Sequence, residues 1–404
     1  MNRPYMILSA CAAVGLLAAA SGPTATAQTV VKVGVINTFS GPTVAQGEMM
    51  ERGLQAYYKS HQKDLPPGVT IQLVERDDTG AHPDIAKRLA SELVVRDHVQ
   101  LLIGTVWSPN AMAVGPVASQ AKVPFVDTNA AAIPVTKSPY AIRTSFTLTQ
   151  QAYPLAKWAA KHGYKTAYTA VSDYAPGQEG RDAFIKGFTE AGGKILGQVT
   201  FPPPPNVADF APFLLRIKDT HPDVVYIFVP AGPTATQIMK AATDIGLQAA
   251  KIHLISTEDL VPDEEIQNMG EAIDGLVTSG VYSSFSTRPA NQAFVATYSK
   301  IYTDGKRPDF ETADAWDGMS AIFDLVKATK GKFTGEQAMA FLSNWKTAHS
   351  PKGPVMIDPA TRQIVQNVYM RRIEKKGGKL VNVEFETIPM VNYLGVPSGM
   401  APPK

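Results

Sequence analysis

Between an apolar run, Leu101 to Gly104, and a stretch with helical spacing that begins near Asn110, the chain sets Trp107 beside Ser108. An indole offers a flat apolar face, and a hydroxyl both donates and accepts hydrogen bonds. In open α/β sheets ligands gather at the carboxyl ends of strands, so the pair stands where a small molecule with a ring and an anionic end would be held. A helix starting at Ser108 or Asn110 would add unpaired N–H groups and a positive dipole end, a ready partner for a carboxylate. A plainer use fits the same residues: Ser108 caps its helix and Trp107 packs on a neighbouring loop.

Signs of bond-making chemistry are few. The sequence holds no GxSxG elbow, HExxH pair, GxGxxG turn or Walker loop. Its seven histidines are scattered without ligand spacing, and Cys11 is the only cysteine, so neither a metal nor a thiol nucleophile is expected. The paired acids Asp77 and Asp78, at a strand end, read as loop and capping groups. No enzyme and no cofactor are expected.

Positioning such a site takes a large scaffold. At 404 residues the chain exceeds one ordinary core, and two domains are expected. Hydrophobic residues make up 45% and charged residues 18%, which excludes a disordered chain. A net charge of +2 with scattered Lys and Arg excludes the basic footprint of a nucleic-acid binder. Residues 1–27 read as an export signal: Arg3, the apolar stretch from Tyr5 to Ala20, then Ala25-Thr26-Ala27 before Gln28. Rival readings are a membrane anchor, for which the stretch is short, and a lipoprotein box at Leu8 to Cys11, inside rather than after the apolar run. Cleavage at Ala27 would leave a mature chain without cysteine, stable through core size rather than disulfides.

From Val30 β-branched runs alternate with amphipathic stretches in a βαβα pattern, through "LLIG" and "VPFVD". A second set begins near Gln150, with strands "TAYTAV", "KILGQVT", "DVVYIFV" and "KIHLIS". Between these, helices are expected at 180–191, 209–218 and 234–245. The fold class is therefore α/β, two doubly wound Rossmann-like lobes of similar plan. Two longer helices follow Tyr282 and are expected to return to the first lobe. The stretch around Gly377-Gly378 alternates as a β-hairpin, and Pro202 to Pro205 reads as a rigid loop.

From about Val31 to Phe385 the chain resembles the leucine/isoleucine/valine-binding protein family, type I periplasmic solute receptors of ABC importers. The blocks that carry the likeness include "VKVGVINTFSGP", "LLIGTVWSPNAMAVGPVASQAKVPFVDTNAAA", "VSDYAPGQEGRDAF" and "SPKGPVMIDPATRQIVQNVYMRRIE", in family order and spacing. The resemblance implies lobes joined by a three-segment hinge, with crossings near 144–149, 277–282 and 350–355. The first lobe would comprise 28–146 with 281–352, and the second 147–280 with 353–390. It also implies a monomer in the periplasm that closes on a small ligand and presents it to ABC transporter permease subunits.

Carried over block by block, the family's contacts fall on altered residues. Gln46 stands where Tyr is usual. Ser108 is the Ser of the "GxxSS" loop, with Trp107 replacing a small residue. Asn129, Ala130 and Ala131 replace a small-Ala-Thr set. Pro176 replaces a Tyr and leaves Tyr174 nearby, while Ala231 beside Gly232 replaces another. Glu258, followed by Asp259, aligns with the acid that meets an amino group, and Phe146 and Tyr282 on the crossings complete the candidate set. Losing the Thr and both Tyr removes partners worth roughly 1.5 to 3 kcal/mol each toward a charged group. Stacking on Trp107 would add about 0.5 to 1.5 kcal/mol for a ring. An aromatic carboxylate is therefore the expected ligand. The alternatives are a branched-chain amino acid receptor and a ligand-sensing subunit of a membrane receptor.

Overall fold

The computed structural model describes residue 1 and residues 28–203, 209–263, 265–270 and 273–403. The export segment with its Ala25-Thr26-Ala27 site and Cys11, and the Pro204-Pro205 end of the proline loop, lie outside the described residues.

The alternating pattern of the first third becomes β1 (Thr29–Asn37), α1 (Val44–His61), β2 (Val69–Asp77), α2 (Pro83–Val95), β3 (Leu101–Gly104), α3 (Ser108–Ala121), β4 (Phe125–Asp127) and β5 (Ala141–Arg143). The five strands form one parallel sheet in the order β2-β1-β3-β4-β5. β3 is buried along its whole length, as a strand covered on both faces must be.

A second series follows: α4 (Leu148–Lys161), β6 (Thr166–Ser172), α5 (Ala175–Glu190), β7 (Lys194–Phe201), α6 (Ala211–Asp219), β8 (Val224–Phe228), α7 (Pro233–Ile245), β9 (His253–Thr257) and β10 (Val277–Gly280). The helices begin earlier than their spacing predicts at α5 and α7. In each, Pro stands in the first turn, where its fixed φ is pre-set for helix and its missing N–H costs nothing.

The chain then returns to the first sheet. Of α8 (Pro289–Ile301), α9 (Phe310–Thr329) and α10 (Gly335–Leu342), the first two pack on α1. Two capping boxes, Asp309 with Thr312 and Thr334 with Gln337, start α9 and α10. β11 (Lys346–Ser350), β12 (Gly353–Ile357), β13 (Ile364–Lys376) and β14 (Lys379–Val391) extend the second sheet, ordered β11-β12-β13-β10-β9-β8-β6-β7 with β14 on β13. β11 thus hydrogen-bonds into the second sheet although it falls within 281–352. Gly377 and Gly378, at φ 57° and 79°, make the expected two-residue hairpin turn.

The chain passes between the sheets three times, and each passage is tied down. In the first, Thr147 Oγ1 accepts from Gln150 N (3.0 Å), capping α4. At the second, Val281 N donates to Glu258 (2.9 Å) and Arg371 donates to Tyr282 O (2.6 Å). The third runs from α10 into β11, and in the turn just beyond, between β11 and β12, the buried Lys352 donates to Thr144 O (2.7 Å) and Asp314 (2.6 Å) and lies 3.2 Å from Asp317.

Candidate functional site

The strand ends of the two sheets face each other, and the loops leaving them line a small cavity. From the first sheet come Gln46, Val106, Trp107, Ser108, Asn129 and Ala131; from the second, Tyr174, Pro176, Pro230 and Asp259. Leu148 and Glu311, from the first turns of α4 and α9, close its sides. Close approach makes this possible. A Cβ at Gly47 would lie 1.9 Å from Thr38 O, and one at Gly177 would lie 2.0 Å from Ser172 O, so only glycine lets α1 and α5 start against their strands. The cavity measures about 20 Å³, on the order of one water. A larger hollow of about 410 Å³, lined by Met239, Gly246, Lys251 and His253, lies toward the amino end of β9, away from the ligand-gathering strand ends.

Trp107 occupies the N-cap position of α3 in an extended conformation (φ −101°, ψ 133°), and Pro109 follows in the first turn. Its indole is buried and donates to Thr43 Oγ1 (3.3 Å). Across the cleft its ring faces Tyr174 at 6.4 Å and 56°, and Tyr174 stacks on Phe228 at 6.0 Å. Ser108 does not cap α3: its side chain accepts from Ala132 N (3.2 Å), joining the loops after β3 and β4. The start of α3 is instead held by Asn110, whose Nδ2 donates to Asp78 (2.8 Å) and Gly80 O (2.8 Å). Asp78 also accepts from Thr38 Oγ1 (2.7 Å), and Asp77 from Phe39 N and Thr79 N, so the paired acids are loop anchors.

Two amide oxygens on the wall, Gln46 Oε1 and Asn129 Oδ1, are buried without a hydrogen-bond partner. Asn129 Nδ2 donates to Val106 O (3.0 Å), which fixes the amide's orientation. The loop behind it is shaped by the buried Arg143–Asp127 pair (3.0 Å), with Ala130 N donating to Asp127 (3.0 Å). Burial nevertheless raises the Asp127 carboxyl to about 6.

The acid that reaches the cavity is Asp259, not Glu258. The two are consecutive in a one-turn 3₁₀ segment after β9, so their side chains leave in different directions. Glu258 turns into the hinge, where it accepts from Gln151 Nε2 (2.5 Å) and from the N–H of Val281 (2.9 Å) and Tyr282 (3.3 Å), with Arg371 at 3.5 Å. Burial outweighs these partners and raises its carboxyl to about 8. Burial likewise lifts Asp259 to about 7, while Thr257 Oγ1, donating at 3.1 Å, and Arg371 pull it back. The phenol of Tyr174 is pushed up by burial and by Asp259.

Of the residues expected from sequence, Gln46, Trp107, Ser108, Asn129, Ala131 and Tyr174 come together on the cavity wall. Ala130, Phe146, Ala231, Gly232, Glu258 and Tyr282 do not line it. Phe146 packs edge-on to Phe310 (5.7 Å), Tyr282 edge-on to Phe294 (6.1 Å), and Ala231-Gly232 follows the lining Pro230 at the start of α7. Val106, Leu148, Pro230 and Glu311 carry no sequence expectation, and Pro176 and Asp259 stand beside candidate residues without belonging to the expected set. For Glu311 no local signal exists, because α9 reaches the cleft only through the second crossing.

One further contact spans the cleft: Glu179 on α5 accepts from Ile133 N (2.9 Å) in the loop between β4 and β5. Two doubly wound sheets joined by three crossings, with helix starts gathered around a cavity between them, define a two-lobed α/β binding protein. The chain belongs to the periplasmic binding protein family, whose pattern it matches over residues 30–379. It is 39% identical over 360 residues to Leu/Ile/Val-binding protein homolog 6 of Brucella melitensis, across 89% of this chain and 91% of that protein. A solute-binding protein of an ABC transporter from Rhodopseudomonas palustris, solved with 4-hydroxybenzoate, superimposes with a TM-score of 0.86 at 40% identity, covering 91% of this chain and 99% of that one. Another from R. palustris BisB5, solved with 3,4-dihydroxybenzoic acid, gives 0.85 at 39%, covering 90% and 98%.

Proposed function

We propose that this protein is an exported receptor that binds a small aromatic carboxylate between its lobes and delivers it to the permease of an ABC importer, performing no chemistry. The observation that carries the reading is the aromatic gate: Trp107 from one lobe faces Tyr174 from the other across a shared cavity. A ring inserted there gains two apolar faces, and its carboxylate lies near Ser108 and the start of α3. The Ser108 hydroxyl accepts from Ala132 N and retains its own proton for a ligand oxygen. The relatives solved with hydroxylated benzoic acids support the same ligand class.

A benzoate needs far more room than about 20 Å³, so entry requires the lobes to part. The lobes that move would be 28–146 with 281–352 against 147–280 with 353–390, as a monomer, after removal of residues 1–27 in the periplasm. The branched-chain alternative draws on the name of the Brucella relative. Calorimetric titration with benzoate, 4-hydroxybenzoate and leucine tests the reading: binding of the aromatic acids and none of leucine is expected. Leucine binding without aromatic binding overturns it.

A further inference from the structure

The polar groups on the cavity wall are unequal in kind. Asp259 is an acid, Gln46 Oε1 and Asn129 Oδ1 are buried acceptors without partners, and no lysine or arginine is among the described lining residues. A wall of this kind asks its ligand for hydrogen-bond donors. A bare benzoate has none to give, since its carboxylate only accepts.

Asp259 also fixes which way the ligand lies. A carboxylate turned toward Asp259 would meet like charge in a site largely removed from water, which is strongly unfavourable. Turned toward Ser108 and the start of α3, it meets a hydroxyl and a positive helix end. Ser108 and Asp259 belong to opposite lobes of the same cavity, so the far edge of the ring then faces the second lobe and Asp259. Asp259 is built into its place: it is buried, and Thr257 Oγ1 holds one of its oxygens at 3.1 Å. An ionised carboxylate has about four acceptor sites, so one threonine leaves capacity for a ligand donor.

Resting on the aromatic-acid reading above, we propose that Asp259 is a specificity-determining residue that selects aromatic carboxylates bearing a hydroxyl on the ring edge away from the carboxylate. A phenolic O–H donating to this carboxylate makes a charge-assisted hydrogen bond, and a ligand without it leaves a buried acid unmatched. The same logic makes the preference larger than an extra apolar contact would give, because the site is penalised by the ligand that lacks the group.

The test is calorimetric titration of 4-hydroxybenzoate and benzoate, at about pH 8 where Asp259 is ionised, into the parent protein, Asp259→Asn and Asp259→Ala. The parent is expected to favour 4-hydroxybenzoate by about tenfold to a hundredfold. Asp259→Ala should bring the ratio close to one by weakening 4-hydroxybenzoate, and Asp259→Asn should fall between. Near-ultraviolet circular dichroism and retained benzoate binding establish that the variants are folded. Equal affinity of the parent for both acids, or an equal loss of both in Asp259→Ala, overturns the assignment while leaving the receptor for aromatic acids standing. If the parent binds neither acid, the underlying reading falls and takes this one with it.

Discussion

Two buried polar clusters stand close together in this molecule and are built on opposite principles. At the hinge, Lys352 sits between Asp314 and Asp317, with Ser350 Oγ donating to Asp317 (2.8 Å) and Thr144 O completing the ammonium's contacts. In the cleft, Asp259 stands on a cavity wall with no lysine or arginine among its described lining residues. Buried charge is tolerated when it is paired; around Asp259 the support is lighter, with Thr257 Oγ1 donating at 3.1 Å and Arg371 acting on it electrostatically. On the function proposed above, the contrast separates groups that hold the scaffold from groups that meet a ligand: the first should matter to stability, the second to affinity.

The largest effect should come from breaking the hinge cluster. Lys352→Met removes the cation paired with two buried carboxylates, and a loss of about 3 to 5 kcal/mol is expected, read by urea unfolding. Unchanged stability would erase the distinction drawn above. On the cleft side, Trp107→Ala should weaken aromatic acids by about 2 kcal/mol, roughly thirtyfold, with smaller loss for aliphatic acids. Ser108→Ala should weaken both classes by about 1 kcal/mol, because it touches the shared carboxylate. Calorimetry on the two variants separates these patterns, and aromatic binding indifferent to Trp107→Ala would remove the indole from the site.

A pH-dependent effect concerns Glu258, which faces Gln151, Arg371 and Asp259 and feels Asp314. Folding raises its carboxyl from near 4.5 to about 8, so between those values the folded state keeps a proton that the unfolded chain releases. Stability from this group is complete below about 4.5 and is lost as pH rises toward about 8. Melting temperatures of the parent should fall across that window more steeply than those of Glu258→Gln. A residual slope remains in the variant, because Asp127 and Glu51 are raised in the same direction. Identical slopes would mean that Glu258 is ionised throughout.

Period and punctuation carried most of the architecture in the primary structure. Fully covered strands such as Leu101–Gly104 read as apolar runs, and Gly377-Gly378 between alternating segments marks a tight hairpin. The pair Trp107-Ser108 was visible because it stands at a strand-to-helix junction, where local pattern and the carboxyl end of a strand coincide. The acids were harder. Glu258 and Asp259 differ by one position in a 3₁₀ turn, and an offset that small exchanges a hinge anchor for a cavity wall. Glu311 comes from a helix start whose local pattern announces only a cap, and its presence in the cleft is a property of the whole path of the chain.

The Lys352 cluster constrains how such a sequence can change. Replacing Lys352 alone strands two buried carboxylates, whereas exchanging the set together for well-packed apolar residues can be neutral or favourable. Stepwise drift therefore meets a barrier at the pivot that concerted replacement would not. The cleft walls sit on loops and first helical turns outside that cluster. A lineage of these receptors can thus explore new cargo one substitution at a time while the joint that swings its lobes stays walled in.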